Sequence, residues 1–457
     1  MNSILTLILF FLLSGMVTAS CPGTPADCYT KTGANPYTYT AIDCSQHAVQ
    51  ASINAASDND MVIMPAGTCS WTSKGTGVYA ITFSGKAINL IGAGIGNTVI
   101  NSTSGKGSAY PGEGIFWVKT TNVKRFRISG FTLNGSQASS NPVIFAIGPW
   151  QDFRIDHVRF VLAGQRAIFV DSNFSPFFSY GLIDANEFYP TVAAQSIQTR
   201  NTKGSPPGNL AWQTATQLGI RNQVYIENNT FSYPVGHNAT SPILDSDYGG
   251  SWVIRYNDII QSHVHTHGGY EYSNYPTADR RGTRQFELYN NKWTSNGKIS
   301  GTSAAQIRGG VGVIFNNVIT GQYDRYCGSG NAFCMQCYAG AAGSCIATED
   351  GTGTNGQPCR DCPGAGQDVD NGTFPRPQTT EPTYIWNNTI NGSVATAGDN
   401  AHAVLTAGVD YINNAPKQGY TPYTGAGECP HPLAAASGFC IASGAGKAGY
   451  NVGNKKD

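Results

Sequence analysis

The chain has 457 residues, only 12% of them charged, and its 28 basic residues balance its 28 acidic ones. Such a chain lacks the excess of cations that neutralises nucleic-acid phosphates, so we exclude a nucleic-acid partner. The 55 glycines show no collagen-like period and indicate a fold with many tight turns.

The first 19 residues are typical of a signal peptide. Residues 4–17 are almost entirely apolar, and Val17, Thr18 and Ala19 supply the small side chains of a cleavage site. No later stretch is long enough to span a bilayer. We therefore predict a secreted, extracellular protein with no membrane segment after cleavage; a short membrane anchor is the alternative.

The cysteines predict disulfide bonds, beginning with an N-terminal disulfide-bearing segment over residues 20–40. All twelve follow the apolar leader and form groups of even number, which in an exported chain favours disulfides over free thiols. A zinc site built from Cys334-x-x-Cys337 and Cys359-x-x-Cys362 is the alternative. The groups are Cys21, Cys28, Cys44 and Cys69; Cys327, Cys334, Cys337, Cys345, Cys359 and Cys362; Cys429 and Cys440.

Residues 44–56 predict an amphipathic helix. Val49, Ile53 and Ala56 share one face, and Asp43 or Ser45 can cap the N-terminus. An extended segment, 61–69, follows. A helix at this place would cover the open end of a β-structure, which otherwise invites aggregation.

A six-residue pattern, apolar-x-x-Asn-x-apolar, then recurs along the chain. Most copies begin 26–28 residues apart, which indicates a solenoid, and longer steps of 34, 43 and 71 residues indicate insertions. We predict that the apolar ends enter a shared core, and that Asn forms a ladder at left-handed corners between short strands. The copies begin at Ile128, Ile155, Ile183, Ile226, Ile254, Leu288, Ile314 and Ile385, the first two without the Asn.

The helix, the extended apolar-Pro-Ala-Gly-Thr segment after it and the Asn-bearing coils together resemble the pectin-lyase-like superfamily over about residues 41–430. The resemblance implies an all-β fold, a right-handed parallel β-helix with an N-terminal capping helix. It also implies a function among lyases, hydrolases, epimerases and phage or surface adhesins. We place the solenoid at 41–440, with inserts near 200–220, 268–284 and 321–380, and a flexible tail at 441–457.

Aligning the coils on the hexapeptide predicts two parallel columns of polar side chains. Asp245, His265 and Gln306 fall in one column, because each segment that carries them ends in a Gly-Gly pair. Asp247, His267 and Arg308 fall in the other, and Gln198 or Arg200 would extend them from the preceding coil. Neighbouring coils lie about 4.8 Å apart, so an acid, an imidazole and a guanidinium would touch in sequence.

His263, His265 and His267 alternate along one strand and share a face. Three interpretations are open: a polar outer face, a transition-metal site, or acid–base chemistry near neutral pH. The candidate metal ligands are Asp245, Asp247, His263, His265 and His267.

The insert at 268–284 carries aromatic and cationic side chains next to these columns. Aromatic rings stack on sugar faces, and arginine binds carboxylates through two parallel hydrogen bonds. The predicted substrate-binding residues are Tyr248, Tyr270, Glu271, Arg280, Arg281, Arg284 and Gln306.

Three functions compete, all with an extracellular polysaccharide as partner. In a lyase, Arg308 with Arg284 or a bound Ca²⁺ would neutralise a uronate carboxylate, and His267 would remove the neighbouring proton. Tyr248, Tyr270 or His265 would then protonate the leaving oxygen. This β-elimination is the favoured function, and the predicted catalytic set is Asp245, Asp247, His265, His267 and Arg308.

In a hydrolase, Asp245 and Asp247 would form the carboxylate pair, with Cα atoms about 6.6 Å apart. The order Asp, His, Arg on stacked coils is similar to polygalacturonases, but no Asp-Asp coil intervenes and no Lys follows Arg308 closely. The non-enzymatic alternative is a glycan-binding surface protein or adhesin. The sequence leaves the oligomeric state open.

Overall fold

The computed structural model describes a chain that is almost entirely β-strand. The residues described are 24–73, 78–103, 114–135, 142–162, 166–173, 179–191, 195–236, 242–269, 281–324, 327–328, 331–337, 361–369, 377–399, 405–424 and 433. The predicted signal peptide and the predicted tail lie outside them. No helix in these ranges is long and apolar enough to cross a membrane.

Two short helices and 33 strands make up the described chain, together with one turn of 3-10 helix at Pro25–Cys28. The helices are α1 (Gln46–Ala55) and α2 (Asn209–Trp212). The first strands are β1 (Tyr29–Thr32), β2 (Thr38–Ala41), β3 (Met61–Met64), β4 (Gly67–Trp71), β5 (Tyr79–Ser84), β6 (Asn89–Gly92), β7 (Thr98–Ser102), β8 (Gly114–Lys119), β9 (Arg127–Asn134), β10 (Pro142–Ile147), β11 (Gln151–Leu162) and β12 (Arg166–Asp171).

The middle strands are β13 (Tyr180–Asp184), β14 (Glu187–Pro190), β15 (Gln195–Arg200), β16 (Val224–Glu227), β17 (Thr230–Ser232), β18 (Leu244–Ser246), β19 (Ser251–Arg255), β20 (Asp258–Ile260), β21 (Val264–Thr266), β22 (Gln285–Tyr289), β23 (Lys292–Thr294) and β24 (Ala305–Ile307). The last are β25 (Val311–Phe315), β26 (Val318–Thr320), β27 (Asn331–Met335), β28 (Ala365–Asp368), β29 (Gln378–Thr380), β30 (Thr383–Trp386), β31 (Asn388–Ile390), β32 (Ser393–Asp399) and β33 (Tyr411–Asn413).

The strands wind into coils with three faces. From β13 to β27 each strand pairs in parallel with the third strand after it where the coil continues, as in β13–β16, β14–β17 and β15–β18. The first face thus contains β13, β16, β19, β22, β25 and β30, the second contains β14, β17, β20, β23, β26 and β31, and the third contains β15, β18, β21, β24, β27 and β32. This topology confirms the predicted all-β, parallel β-helix.

The ends of each hexapeptide fill the core, as predicted. Ile183 lies in β13 of the first face and Phe188 lies in β14 of the second face. Both side chains are fully buried in the core. Equivalent side chains stack from coil to coil: the Phe188 ring lies 4.9 Å from Phe160 and 4.6 Å from Phe231. A single coil has no second layer against which to bury these rings, so the stacking of coils creates the core.

The Asn ladder exists, but the left-handed residue of each corner is not the ladder Asn. Asn229 donates through Nδ2 to Asn257 Oδ1 at 3.1 Å, and its own Oδ1 accepts from the backbone N of Asn186 at 2.9 Å. The positive φ angles fall one residue earlier, at Gly130, His157, Ala185, Asn228, Tyr256, Asn290, Asn316 and Asn387. The ladder position therefore requires an amide for its two-sided hydrogen bonding, and the position before it requires tolerance of φ near +55°.

Helix α1 caps the first coils, as predicted. Its N-cap is Ser45, whose Oγ accepts a hydrogen bond from the Ala48 backbone N at 3.3 Å, while Val49 and Ile53 are buried. The disulfide Cys44–Cys69 ties the helix to β4.

The described part of the cysteine-rich region forms disulfides rather than the alternative zinc site, and Cys345 and Cys359 lie outside the described residues. Cys327 is bonded to Cys334 and Cys337 to Cys362, so both cysteines of the first Cys-x-x-Cys pair are already used. Part of the third predicted insert belongs to a coil, because β27 lies inside the insert and pairs with β24.

Candidate functional site

The outward side of the third face carries the first predicted column. Residues of β18, β21 and β24 align so that Asp245 pairs with His265, and His265 with Gln306. On the preceding coil Gln198 pairs with Asp245, as the alignment suggested. The inward neighbours Leu244 and Val264 enter the core, which turns the polar side chains outward because strand residues alternate.

Asp245 and His267 form a carboxylate–imidazole dyad. His267 Nε2 lies 2.8 Å from Asp245 Oδ1, and the Gln195 amide donates to Asp245 Oδ2 at 2.9 Å. Burial raises the pKa of the Asp245 carboxyl, but the charge and hydrogen bond of His267 outweigh burial and hold that pKa below its usual range. Asp245 is thus a carboxylate that orients the imidazole, and with the proton on Nε2 the basic nitrogen of His267 is Nδ1.

Asp247 does not contact His267 as the column alignment predicted. Instead both carboxylate oxygens accept hydrogen bonds from Arg200 of the preceding coil, through Nη2 at 2.7 Å and through Nε. The same guanidinium lies 4.5 Å from the ring centroid of Tyr248, which is half-buried. Asp247 therefore holds Arg200 in place, and Arg200 packs against Tyr248 at the edge of the site.

His265 is a neutral imidazole in the centre of the cluster. Its ring centroid lies 4.7 Å from that of His267 and 6.1 Å from that of His263, so the three rings share one side of the chain as predicted. Burial lowers the pKa of His265 well below its usual value, and the charges of His267 and Arg308 lower it further. A group that stays neutral is suited to hydrogen bonding rather than to proton donation.

Four buried polar atoms along this column make no aligned hydrogen bond with the described residues. They are Gln198 Oε1, Asp245 Oδ1, His265 Nε2 and Gln306 Oε1, one on each of four consecutive coils, and Asp245 Oδ1 lies 2.8 Å from His267 Nε2. Buried polar groups without partners cost free energy, so their concentration at one place marks a surface built to meet a polar ligand or ordered water. The other end of the Gln306 amide donates to Gln336 at 2.6 Å.

Arg308 lies one coil beyond His267 and is half-buried. Its backbone N donates to Thr266 Oγ1 at 2.8 Å, which fixes the start of the guanidinium side chain next to the dyad. The site therefore presents an acid, an imidazole and a cation on three successive coils, in the order Asp245, His267 and Arg308.

Two predicted substrate-binding arginines are structural instead. Arg281 is fully buried and binds both Asp361 and Asp368, with Nη2 at 2.8 Å and 2.9 Å from their Oδ1 atoms. Arg284 is 3% exposed and donates to Thr214 O at 3.0 Å and to Thr216 Oγ1 at 2.7 Å. They fasten the inserts to the solenoid, so we assign neither a contact with substrate. Tyr270, Glu271 and Arg280 lie outside the described residues.

The donor set of the cluster does not suit Ca²⁺, which the lyase interpretation allowed as an alternative to Arg284. Asp245, His265 and His267 offer one oxygen and two nitrogens within 4.8 Å of one another, whereas Ca²⁺ takes six to eight oxygens. Two imidazoles and one carboxylate fit a first-row transition ion, which would compete for the nitrogen that contacts Asp245. The candidate ligands Asp247 and His263 do not belong to this group of three.

Sequence reasoning missed the residues that support the dyad from coils with a weaker repeat. Gln195 holds Asp245, and Arg166 donates in turn to Gln195 Oε1 at 2.9 Å. A register extended by two coils towards the N-terminus would have included both, but neither of those coils has a Gly-Gly pair to align on.

Comparisons with known proteins return distant similarities. No family model and no curated protein matches the chain. Among solved structures, the chain is similar to the A-module of mannuronan C-5 epimerase AlgE4 of Azotobacter vinelandii, with 15% identity and a TM-score of 0.41, over 84% of this chain and 97% of that one. It is also similar to a PL6 family alginate lyase, AlyGC in a mutant form, with 14% identity and a TM-score of 0.41, over 82% of this chain and half of that one.

A third similarity is to the catalytic domain of a GH87 alpha-1,3-glucanase, with 10% identity and a TM-score of 0.32, over 83% of this chain and 68% of that one. At these identities and scores, the assignment of function rests on the geometry of the chain itself.

Proposed function

We propose that the protein is a secreted lyase that cleaves a uronate-containing polysaccharide by β-elimination on the third face of the β-helix. The observation that carries the proposal is the Asp245–His267 dyad, with 2.8 Å between Asp245 Oδ1 and His267 Nε2, and with Arg308 on the next coil. A carboxylate-oriented imidazole is a general base suited to neutral pH. The neighbouring guanidinium supplies the positive charge that stabilises a carbanion next to a carboxylate.

In the reaction, Arg308 pairs with the uronate carboxylate and makes the proton on the adjacent carbon, C5, more acidic. His267 Nδ1 removes that proton, the C5–H electron pair forms the C4–C5 double bond, and the bond from C4 to the glycosidic oxygen breaks. The leaving oxygen takes a proton from Tyr248, which Asp247 and Arg200 hold at the edge of the site. Tyr248 fits this role better than His265, which stays neutral.

The same geometry argues against the inverting hydrolase. That mechanism needs one carboxylic acid kept protonated and one free carboxylate. Asp247 is neutralised by two hydrogen bonds from Arg200, and Asp245 is held ionised by His267. Neither carboxyl is placed to protonate a leaving group.

The experiment is incubation of the purified protein with pectate, alginate and glycosaminoglycans, with and without a chelator, following ultraviolet absorbance and reducing ends together. We expect both signals to rise, and both to be lost in His267→Ala. Reducing ends without absorbance would mean hydrolysis and refute the proposal. Exchange of the C5 proton with solvent deuterium and no cleavage would instead assign epimerisation to the same base.

The chelator arm tests the metal interpretation of Asp245, His265 and His267. Activity that survives chelation supports the dyad, whereas activity lost on chelation and restored by a transition ion would assign the cluster to a metal. Glycan binding that persists in every variant with no turnover on any substrate would leave a binding protein.

A further inference from the structure

The outward column that contains Asp245 and His265 continues towards the N-terminus as a row of aromatic rings. Strand pairing aligns Gln198 with Phe169, Phe169 with Phe145, and Phe145 with Trp117. At this position of the third face, three coils with the aromatic residues Trp117, Phe145 and Phe169 are therefore followed directly by coils with polar and acid–base residues. The inward residues that immediately precede this position stay apolar, from Phe116 through Ile168 to Val264, so the core does not require the change.

The rings form a packed cluster with one accessible member. Trp117 lies edge-on to Tyr79 at 4.8 Å and to Phe145 at 5.3 Å, and Phe145 stacks on Phe169 at 4.9 Å. Tyr79, Phe145 and Phe169 are buried, whereas Trp117 is half-exposed. The buried rings thus fix the plane of an indole that presents part of its surface outward.

Cations line the path from this cluster to the dyad. The guanidinium of Arg166 lies 5.9 Å from the Phe169 ring centroid and that of Arg200 lies 5.1 Å from it. A groove of about 610 Å³ joins Trp117 and Phe145 at one end to Arg200 and Tyr248 at the other. It is continuous with the proposed site, since Arg200 binds Asp247 and Arg166 reaches Asp245 through Gln195.

We propose that this groove binds an acidic oligosaccharide along the coils that precede the proposed site in the chain. In this complex Trp117 stacks on the apolar face of one sugar, and Arg166 pairs with a sugar carboxylate. The proposal rests on the proposed function for the nature of the ligand. Trp117 lies four coil steps from Asp245, about 19 Å along the axis. The ligand is therefore a chain of several sugars that lies along the solenoid and reaches His267.

The side chains that line the groove favour an acidic chain. Arg166 and Arg200 line it and are half-buried, whereas Asp171, the acid that lines it, is buried and accepts a hydrogen bond from Thr202 Oγ1 at 2.9 Å. Arg200 is held by Asp247, so we assign the contact with a sugar carboxylate to Arg166. A neutral glucan offers no carboxylate and would gain only the stacking contact.

The test measures binding of oligogalacturonates and oligomannuronates, from dimer to octamer, in a His267→Ala background, so that turnover does not interfere. In this background we expect Trp117→Ala to weaken binding of the longest oligomers by about ten-fold, and to affect dimers much less, because dimers do not reach the indole. Trp117→Phe should restore most of the loss. Arg166→Gln should weaken acidic oligomers and leave carboxyl-reduced oligomers unaffected.

The matched control is Tyr189→Ala, which removes a half-exposed ring from the second face, where Arg159 lies 6.0 Å from it. Binding should be unchanged in this control. Equal losses for short and long oligomers in Trp117→Ala, or no loss with an unchanged melting temperature, would overturn the proposal. Because binding is measured without turnover, a Trp117 effect in a protein that lacks lyase activity would refute the proposed function and leave this inference standing.

Discussion

Replacing Asn229 by Ala tests the hydrogen-bond ladder that holds the coils in register. The side chain of Asn229 makes four bonds: Nδ2 donates to Ile183 O at 2.9 Å and to Asn257 Oδ1 at 3.1 Å, while Oδ1 accepts from the backbone N and the Nδ2 of Asn186 at 2.9 Å and 3.1 Å. All three asparagines are at most 1% exposed, so water does not replace a lost partner.

The expected cost follows from which groups keep a partner. Asn257 Oδ1 still accepts from the Asn229 backbone N at 3.0 Å, and Asn186 Nδ2 still donates to Ile155 O at 2.8 Å. The backbone N of Asn186 loses its side-chain acceptor, at roughly 1–3 kcal/mol, and each of the other lost bonds adds about 1 kcal/mol. We expect Asn229→Ala to lower the free energy of unfolding by about 4–6 kcal/mol.

Asn228→Ala is the matched control, one residue away. Asn228 is exposed and left-handed, with φ of 55°, so the Ala variant should lose about 1 kcal/mol of backbone preference and no ladder bond. Urea unfolding of the disulfide-intact protein at constant m compares the two variants. Equal costs would refute the reasoning, since the amide would then contribute nothing beyond its place in the corner.

Three further predictions follow from the site and the coils. Asp245→Asn should lower kcat by about 10²–10⁴-fold on the substrate identified, with binding retained, because the amide no longer holds and stabilises the His267 imidazolium; an unchanged kcat would exclude the dyad. Burial raises the pKa of Asp171 to about 6, so the unfolded chain loses this proton first and stability falls as pH rises from about 4 to about 6. Asp171→Asn should therefore gain up to about 3 kcal/mol relative to wild type above pH 6 and nothing at pH 3; parallel pH–stability curves from urea titrations would contradict this. Ala185→Gly, at φ of 53°, should raise the free energy of unfolding by about 1 kcal/mol in the same assay, and a destabilised variant would show that the corner is not strained.

The sequence determined the solenoid because its repeat is local. Each hexapeptide carries its own apolar ends and its own Asn, so Ile226 and Phe231 enter the core and Asn229 joins the ladder without information from distant residues. It also determined which coil residues share a column, because strands in register preserve spacing: Asp245, His265 and Gln306 align as the Gly-Gly pairs indicated.

Tertiary structure alone decided which members of those columns bind one another and which arginines are buried. His267 contacts Asp245, which belongs to the other column. Asp247, the acid of its own column, has both carboxylate oxygens bound by Arg200 from another coil. Arg281 is locked by Asp361 and Asp368, some 80 residues away in the chain. Side-chain pairing depends on rotamers and on the path of the inserts, and neither is encoded in a repeat of 26–28 residues. The local pattern thus predicts the position of each side chain along the solenoid, and long-range packing determines which residue that side chain binds.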